Sequence, residues 1–156
     1  MAGWYKLNTD ASLKNAESLV GLGAVIRDDN GLFIVGLSCK LVGSVLIEVA
    51  EVYAILNGLH LAIESGFSHL SVESDALNVI TYLVQEKPPN SEVGLVVADI
   101  LSLCNRVVVS FAFVPRCANF VAHSLFRNSF SIDNVFIWLE DVFPWLDHGL
   151  LSDLQV

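Results

Sequence analysis

Three carboxylates in the sequence stand beside apolar segments. Asp10 follows a β-rich run at 4–9, Asp75 follows a second run at 69–74, and Glu51 lies within an apolar helical segment. Apolar surroundings rarely tolerate an unpaired carboxylate, because burial penalises its charge. If the two strands are neighbours, the three carboxylates converge on one point, where their mutual repulsion would raise their pKa values. A divalent cation is the simplest reason for such convergence, so we predict a carboxylate metal site.

Each of these acids also has an ordinary structural explanation. Asp10 could be a turn residue after its strand, and Asp75 could cap the following helix, since aspartate is a preferred N-cap. Glu51 could belong to an exposed acidic face with Glu48, three residues earlier. Capping and metal binding use different carboxylate oxygens, so the two roles of Asp75 are compatible.

The hydrophobic pattern predicts an α/β domain. In chain order the predicted elements are strands at 4–9, 20–27 and 32–38, a helix from 44 up to 66, a strand at 69–74, helices at 76–85 and 91–104, a strand at 107–114 and a helix at 118–130. Asn30-Gly31 predicts a tight hairpin between the second and third strands. This order predicts a five-stranded mixed sheet, with three antiparallel strands followed by parallel ones, and helices on both faces.

The length of 156 residues suits one compact domain. We predict that this domain occupies 1–130 and that an amphipathic C-terminal extension occupies 131–156. The extension contains Trp138 and Trp145, and Pro144 would interrupt a continuous helix there. Its aromatic, amphipathic character would allow docking on the domain, on a protein partner or on a second copy of the chain.

The charge balance restricts the partners that the chain can bind. Eight Lys and Arg residues stand against 17 Asp and Glu, a net charge of −9. This balance excludes a broad basic surface for nucleic acid, so contact with phosphates would require bound cations. The long apolar helix carries acidic residues, so no membrane span is predicted. Three cysteines without Cys-x-x-Cys pairing and the absence of a leader pattern predict an intracellular protein, nuclear or cytoplasmic.

Five segments in this order resemble the ribonuclease H type 1 domain, most closely its plant, retroelement-derived reverse-transcriptase-like subfamily. They are LNTDA at 7–11, GLGAVIRD at 21–28, AEVYAILNGL at 50–59, VESDA at 72–76 and PRCANFVAHSL at 115–125. The resemblance covers about residues 5–130, and the extension with its two tryptophans is similar to extensions in the same plant group.

The resemblance implies a metal-dependent nuclease that hydrolyses the RNA strand of an RNA–DNA hybrid. In the family, two Mg²⁺ ions are held by an aspartate of the first strand, a glutamate of the first helix and an aspartate after the fourth strand. Asp10, Glu51 and Asp75 match these three metal-binding and catalytic positions. One ion would lower the pKa of the attacking water, and the other would stabilise the departing oxygen.

The chain departs from the family pattern at the fourth acidic position, which is His123. Imidazole is a poor ligand for Mg²⁺ and a better one for Mn²⁺, so we expect an impaired second metal site in which Mn²⁺ can substitute. His123 could be a catalytic ligand or general acid, or a hydrogen-bonding helix residue. Arg116 could hold a substrate phosphate. Asn119 matches a substrate-binding position, and could instead make a local hydrogen bond at the start of the helix.

Two hypotheses about function follow from these residues. The first is metal-dependent ribonuclease H activity, with an RNA–DNA hybrid as partner and with activity reduced by His123. The alternative is a catalytically degenerate domain of the same fold that binds nucleic acid or protein without turnover.

Overall fold

The computed structural model describes residues 3–129 and 136–139 of the chain. Its elements follow the predicted order. They are β1 (Tyr5–Lys14), β2 (Leu19–Arg27), β3 (Phe33–Val42), α1 (Ile47–Glu64), β4 (His69–Ser74), α2 (Leu77–Gln85), α3 (Glu92–Leu103), β5 (Val108–Phe113), α4 (Phe120–Ser129) and β6 (Phe136–Leu139). A 3₁₀ turn at Arg116–Asn119 leads directly into α4. Among the described residues, no helix has both the length and the apolar character that crossing a bilayer requires.

The strands form one mixed sheet in the order β5-β4-β1-β2-β3-β6. The first three strands pair antiparallel, whereas β4 pairs parallel with both β1 and β5, as predicted. The five predicted strands are therefore confirmed, and β6 adds a sixth. This short strand pairs antiparallel with β3 and comes from the predicted C-terminal extension. The segments 130–135 and 140–156 lie outside the described residues, so docking of the extension on a partner stays a prediction.

The β2–β3 connection confirms the predicted hairpin. The Asp28 carboxylate accepts hydrogen bonds from the backbone N–H groups of Asn30 and Leu32, both at 2.9 Å. Gly31 adopts a φ of +82°, which costs a glycine little because it has no Cβ.

The helices lie on the two faces of the sheet, as the alternation along β1 shows. The Leu7 side chain lies beside Gly58 of α1, whereas the side chain of its neighbour Asn8 contacts Asn119 at the start of α4. Successive side chains on a strand point to opposite faces, so α1 and α4 cover different faces. The main core lies between the sheet and α1–α3, with Leu7, Ile26, Val52, Ile55, Leu59, Leu70 and Ile100 almost fully buried.

Strand β1 is longer than the sequence predicts, and this changes the position of Asp10. We expected the strand to end at Asp10, but β1 continues to Lys14 because β2 pairs with it along its whole length. The parallel pairing with β4, however, ends at Thr9 opposite Ser74. Asp10 is therefore the first β1 residue beyond the end of β4, and it is not a turn residue.

We predict that Gly94→Ala destabilises the fold. A Cβ on Gly94 would lie 1.7 Å from the backbone carbonyl oxygen of Pro89, so the loop or α3 would have to move. We expect a net loss of about 1–3 kcal/mol in the free energy of unfolding, because such overpacking outweighs alanine's helix propensity. Urea unfolding followed by circular dichroism measures the change. Leu95→Ala, at a side chain that is 71% exposed, is the control and should stay within about 0.5 kcal/mol of the wild type. A Gly94→Ala variant as stable as this control would contradict the prediction.

Candidate metal centre

The fold brings the three predicted carboxylates together. Asp10, Glu51 and Asp75 each place a carboxylate oxygen within 4.8 Å of the other two. Asp10 is 3% exposed and Glu51 8% exposed, whereas Asp75 is partly exposed. The cluster is thus closed on the side of the sheet and open beside Asp75.

Strand register and helix packing produce this convergence. Asp75 follows the carboxyl end of β4, where the Thr9–Ser74 pairing sets it beside Asp10. Glu51 lies seven residues before Gly58, about two helical turns, so both residues are on the same side of α1. Gly58 is the point where α1 approaches β1, because a Cβ there would lie 3.0 Å from Leu7. That side of α1 faces the sheet, and Glu51 is turned towards Asp10.

The structure shows neither helix capping by Asp75 nor an exposed acidic face for Glu51. Asp75 does not cap α2: the N-cap position is Ala76, and the Ser74 hydroxyl accepts the Ala76 N–H at 3.1 Å. Glu51 is buried, whereas Glu48 is half-buried and outside the three-carboxylate cluster. The burial of Glu51 therefore needs an explanation other than an exposed acidic face.

The electrostatics of the cluster favour a bound proton or cation. Burial raises the pKa of Asp10 to about 7, with a further increase from the charge of Asp75, while the Ala11 N–H and Arg116 oppose this shift. Burial also raises the pKa of Glu51, to about 10, and the charges of Asp10 and Asp75 add to that increase. Three negative charges in this space are therefore unstable unless a positive group is present.

The donor set fits a hard divalent cation. Oxygen Oε2 of Glu51 is buried and has no hydrogen-bond partner among the described residues. A buried carboxylate oxygen without a partner is costly, and it lies in a cluster that offers only carboxylate oxygens. Mg²⁺ and Ca²⁺ prefer such ligands.

His123 lies against Asp10, a placement that the sequence could not supply. Its Nδ1 is 2.9 Å from Oδ2 of Asp10, and when the Asp10 carboxylate is ionised, as it would be with a bound cation, Nδ1–H is the donor. Arg116 lies next to the ring, with Nη2 3.2 Å from Nδ1 and 3.5 Å from Nε2. The structure thus gives His123 a hydrogen bond to Asp10 and places Arg116 beside the same ring, while a catalytic role for His123 stays a prediction.

Asn119 is fully buried and holds the start of α4 against β1. Its Nδ2 donates to the backbone carbonyl of Thr9 at 2.7 Å, and its Oδ1 accepts from Asn8 at 3.3 Å. Oδ1 of Asn8 in turn accepts from Arg27 at 2.7 Å. Asn119 was predicted to bind substrate, but its side chain has no exposed surface in this structure. Its hydrogen-bonding groups contact the Thr9 carbonyl and the Asn8 side chain instead.

A pocket of about 560 Å³ borders the cluster at Glu51 and Asp75. The exposed side chains Leu46, Ile47 and Leu77 contribute to an apolar wall of this pocket, which was not predicted from the sequence. The sequence gives little indication that these residues line a pocket, since each is an apolar residue within a segment that was predicted to be helical. The pocket gives a ligand access to the cluster from the side of α1 and α2.

We predict that, without divalent cations, stability falls as the pH rises from 5 to 7. In this range the folded chain keeps carboxyl protons that the unfolded chain has released, because the raised pKa values lie near 7 for Asp10 and near 10 for Glu51. Each such proton lowers the free energy of unfolding by about 1.4 kcal/mol per pH unit. Urea unfolding in EDTA at several pH values measures this slope. Glu51→Gln should reduce it, whereas Glu64→Gln, at an exposed position of the same helix, should not. Equal slopes in the two variants would contradict the prediction.

We predict that Asn119→Ala weakens the fold. The change leaves the Thr9 carbonyl and the Asn8 amide without a buried partner, at a cost of about 1–3 kcal/mol. Thermal and urea unfolding measure the loss. Asn78→Ala, at an exposed position of α2, is the control and should have little effect. Unchanged stability with weaker binding of nucleic acid would instead favour the substrate contact.

Comparisons with known proteins agree with this fold. A family model described as reverse transcriptase-like matches residues 8–129. No curated protein sequence gives a significant match. The structure is similar to that of ribonuclease H1 from Halobacterium salinarum, with a TM-score of 0.76 and 18% identity over 82% of this chain and 98% of that one.

Two further structures show the same likeness. The N-terminal ribonuclease H domain of a Mycobacterium tuberculosis protein has a TM-score of 0.75 and 18% identity, covering 82% of this chain and 94% of that one. LC11 ribonuclease H1, isolated from compost and solved in complex with an RNA/DNA hybrid, has a TM-score of 0.73 and 21% identity, covering 81% of this chain and 96% of that one. Because the family model spans most of the sequence and these structures share its architecture, the chain belongs to the reverse transcriptase-like family and has the ribonuclease H fold.

Proposed function

We propose that the chain is a Mg²⁺-dependent ribonuclease that hydrolyses the RNA strand of RNA–DNA hybrids. The observation that carries the proposal is the meeting of Asp10, Glu51 and Asp75 within 4.8 Å, with one Glu51 oxygen buried and unpartnered. The fold supports it, since a structure similar to this one was solved with an RNA/DNA hybrid.

The residues of the cluster have separate tasks in this reaction. A divalent cation bound there would supply a water of lowered pKa and would stabilise charge that develops on the phosphate. Asp10 and Glu51 would hold the cation from the buried side, and Asp75 from the open side. Arg116 is exposed beside the cluster, where its guanidinium could bind a phosphate oxygen of the substrate.

The acidic character of the chain restricts how it binds a hybrid. The net charge of −9 opposes a phosphate backbone, so we propose that bound cations and Arg116 provide the local attraction. The connection between α2 and α3 is short and carries a single lysine, Lys87. We therefore expect weak affinity that depends on divalent cations.

One observation favours a second candidate, binding of nucleic acid or protein without turnover. His123 forms a hydrogen bond with Oδ2 of Asp10, an oxygen that this carboxylate could otherwise offer to a cation. The two candidates share the fold and the binding surface, and they differ in whether the cluster performs hydrolysis.

Two finer assignments rest on sequence features. We propose the plant, retroelement-derived subfamily because the five motifs follow its order. We propose an intracellular location because Cys39, Cys104 and Cys117 are all free thiols.

We predict that Glu51→Gln and Asp10→Asn each lower hybrid cleavage by about 100-fold or more. Loss of a metal ligand removes several kcal/mol of transition-state stabilisation, and each 1.36 kcal/mol corresponds to about a factor of ten. The assay follows an end-labelled RNA–DNA hybrid with the full chain in Mg²⁺ and, separately, in Mn²⁺. Glu64→Gln makes the same charge change on an exposed surface and should cleave like the wild type.

The outcomes separate the two candidates. Cleavage by the wild type that disappears in both cluster variants supports the nuclease. Hybrid binding without cleavage in either metal would favour the second candidate. Activity that persists in both cluster variants would overturn the proposed site.

A further inference from the structure

We infer that His123 and Arg116 occupy the place of the second metal ion, so that the site holds a single divalent cation. This inference rests on the proposed function, because it concerns how the same carboxylates hold their cation. It differs from the two-ion arrangement that the family resemblance implies.

Both carboxylate oxygens of Asp10 accept a hydrogen bond. A carboxylate can hold two cations side by side by offering one oxygen to each. Oδ1 of Asp10 accepts the backbone N–H of Ala11 at 2.9 Å, and Oδ2 accepts Nδ1–H of His123 at 2.9 Å. Oδ2 is thus covered by a side chain, an imidazole that is only 18% exposed, whereas the hydrogen bond to Oδ1 comes from the backbone N–H of the next residue. We therefore expect Oδ1 to bind the cation together with Glu51, whose Oε2 has no hydrogen-bond partner among the described residues.

A buried contact at the end of the 3₁₀ turn that leads into α4 holds His123 in this position. Asn119 precedes His123 by four residues, and its side chain is anchored to Thr9, the residue before Asp10. Residues four apart lie on the same side of a helix. The anchored amide therefore sets the imidazole over Asp10.

Arg116 adds a permanent positive charge on the same side. Its Nη2 lies 3.2 Å from Nδ1 of His123, and the guanidinium is charged at every accessible pH. A second divalent cation beside Asp10 would meet this charge at short range. The same guanidinium can contact a substrate phosphate, which a second ion would otherwise do.

Calorimetric titration of the full chain with Mn²⁺ tests the inference directly. We expect one ion per wild-type chain and two per chain for His123→Asp, which replaces the covering imidazole with another carboxylate. His60→Asp introduces the same charge at an exposed position nine residues after Glu51 and should bind one ion. Two ions in the wild type would overturn the inference, as would a single ion in a folded His123→Asp variant.

Arg116→Gln provides a second test that leaves the Asp10–His123 contact in place. Loss of the nearby positive charge should tighten Mn²⁺ binding by about three- to tenfold, while affinity for the hybrid falls. Arg106→Gln removes the same charge before β5, at the opposite end of that strand from Arg116, and should change neither affinity. Unaltered Mn²⁺ affinity in Arg116→Gln would overturn the role assigned to this residue.

Stoichiometry and cleavage together distinguish the two proposals. Two bound ions in an active wild type would overturn the single-ion site and leave the nuclease function intact. One bound ion without cleavage of hybrid would support the single-ion site and overturn the proposed nuclease function. A chain that binds no ion would overturn both.

Discussion

The parallel pairing of β1 with β4 is the interaction on which the candidate site depends. The pairing ends at Thr9 and Ser74, and the residue that follows each of them in the chain is an aspartate of the cluster. A one-residue shift in this register would turn Asp10 to the other face of the sheet. The antiparallel pairing with β2 continues beyond this point and keeps the backbone around Asp10 extended. Asp10 is therefore rigid and buried where its partner strand has already ended.

Burial of the carboxylates makes this arrangement unstable without a positive group. Both Asp10 and Glu51 have raised pKa values, with desolvation as the main cause and neighbouring carboxylates as the next. The chain retains this unfavourable cluster beside a pocket, where a ligand can reach it. Strain of this kind in a folded domain is typical of functional sites. A divalent cation bound there would offset most of the charge of the three carboxylates, which would help a strongly acidic chain to approach a phosphate backbone.

A buried amide network connects the sheet to the helix that completes the site. Asn8 receives a hydrogen bond from Arg27 and donates to Asn119 and to Glu73. These contacts join β1, β2 and β4 to the start of α4. Because the Asn8 and Asn119 amides are buried and hydrogen-bonded to each other, the network fixes the position of α4 more specifically than apolar packing would. The placement of His123 is a consequence of this anchoring.

The sequence by itself determined the type of fold and the three acids. Strand alternation, the Asn30-Gly31 turn and the helical spacing after residue 44 are local patterns, so each could be recognised within a short window. An acid in an apolar segment is likewise a local signal. Only the tertiary structure decided which groups meet those acids. The contact of His123 with Asp10 spans 113 positions in the chain, and that of Asn119 with Thr9 spans 110. Such contacts depend on strand register and helix packing, which side-chain periodicity along one segment does not encode.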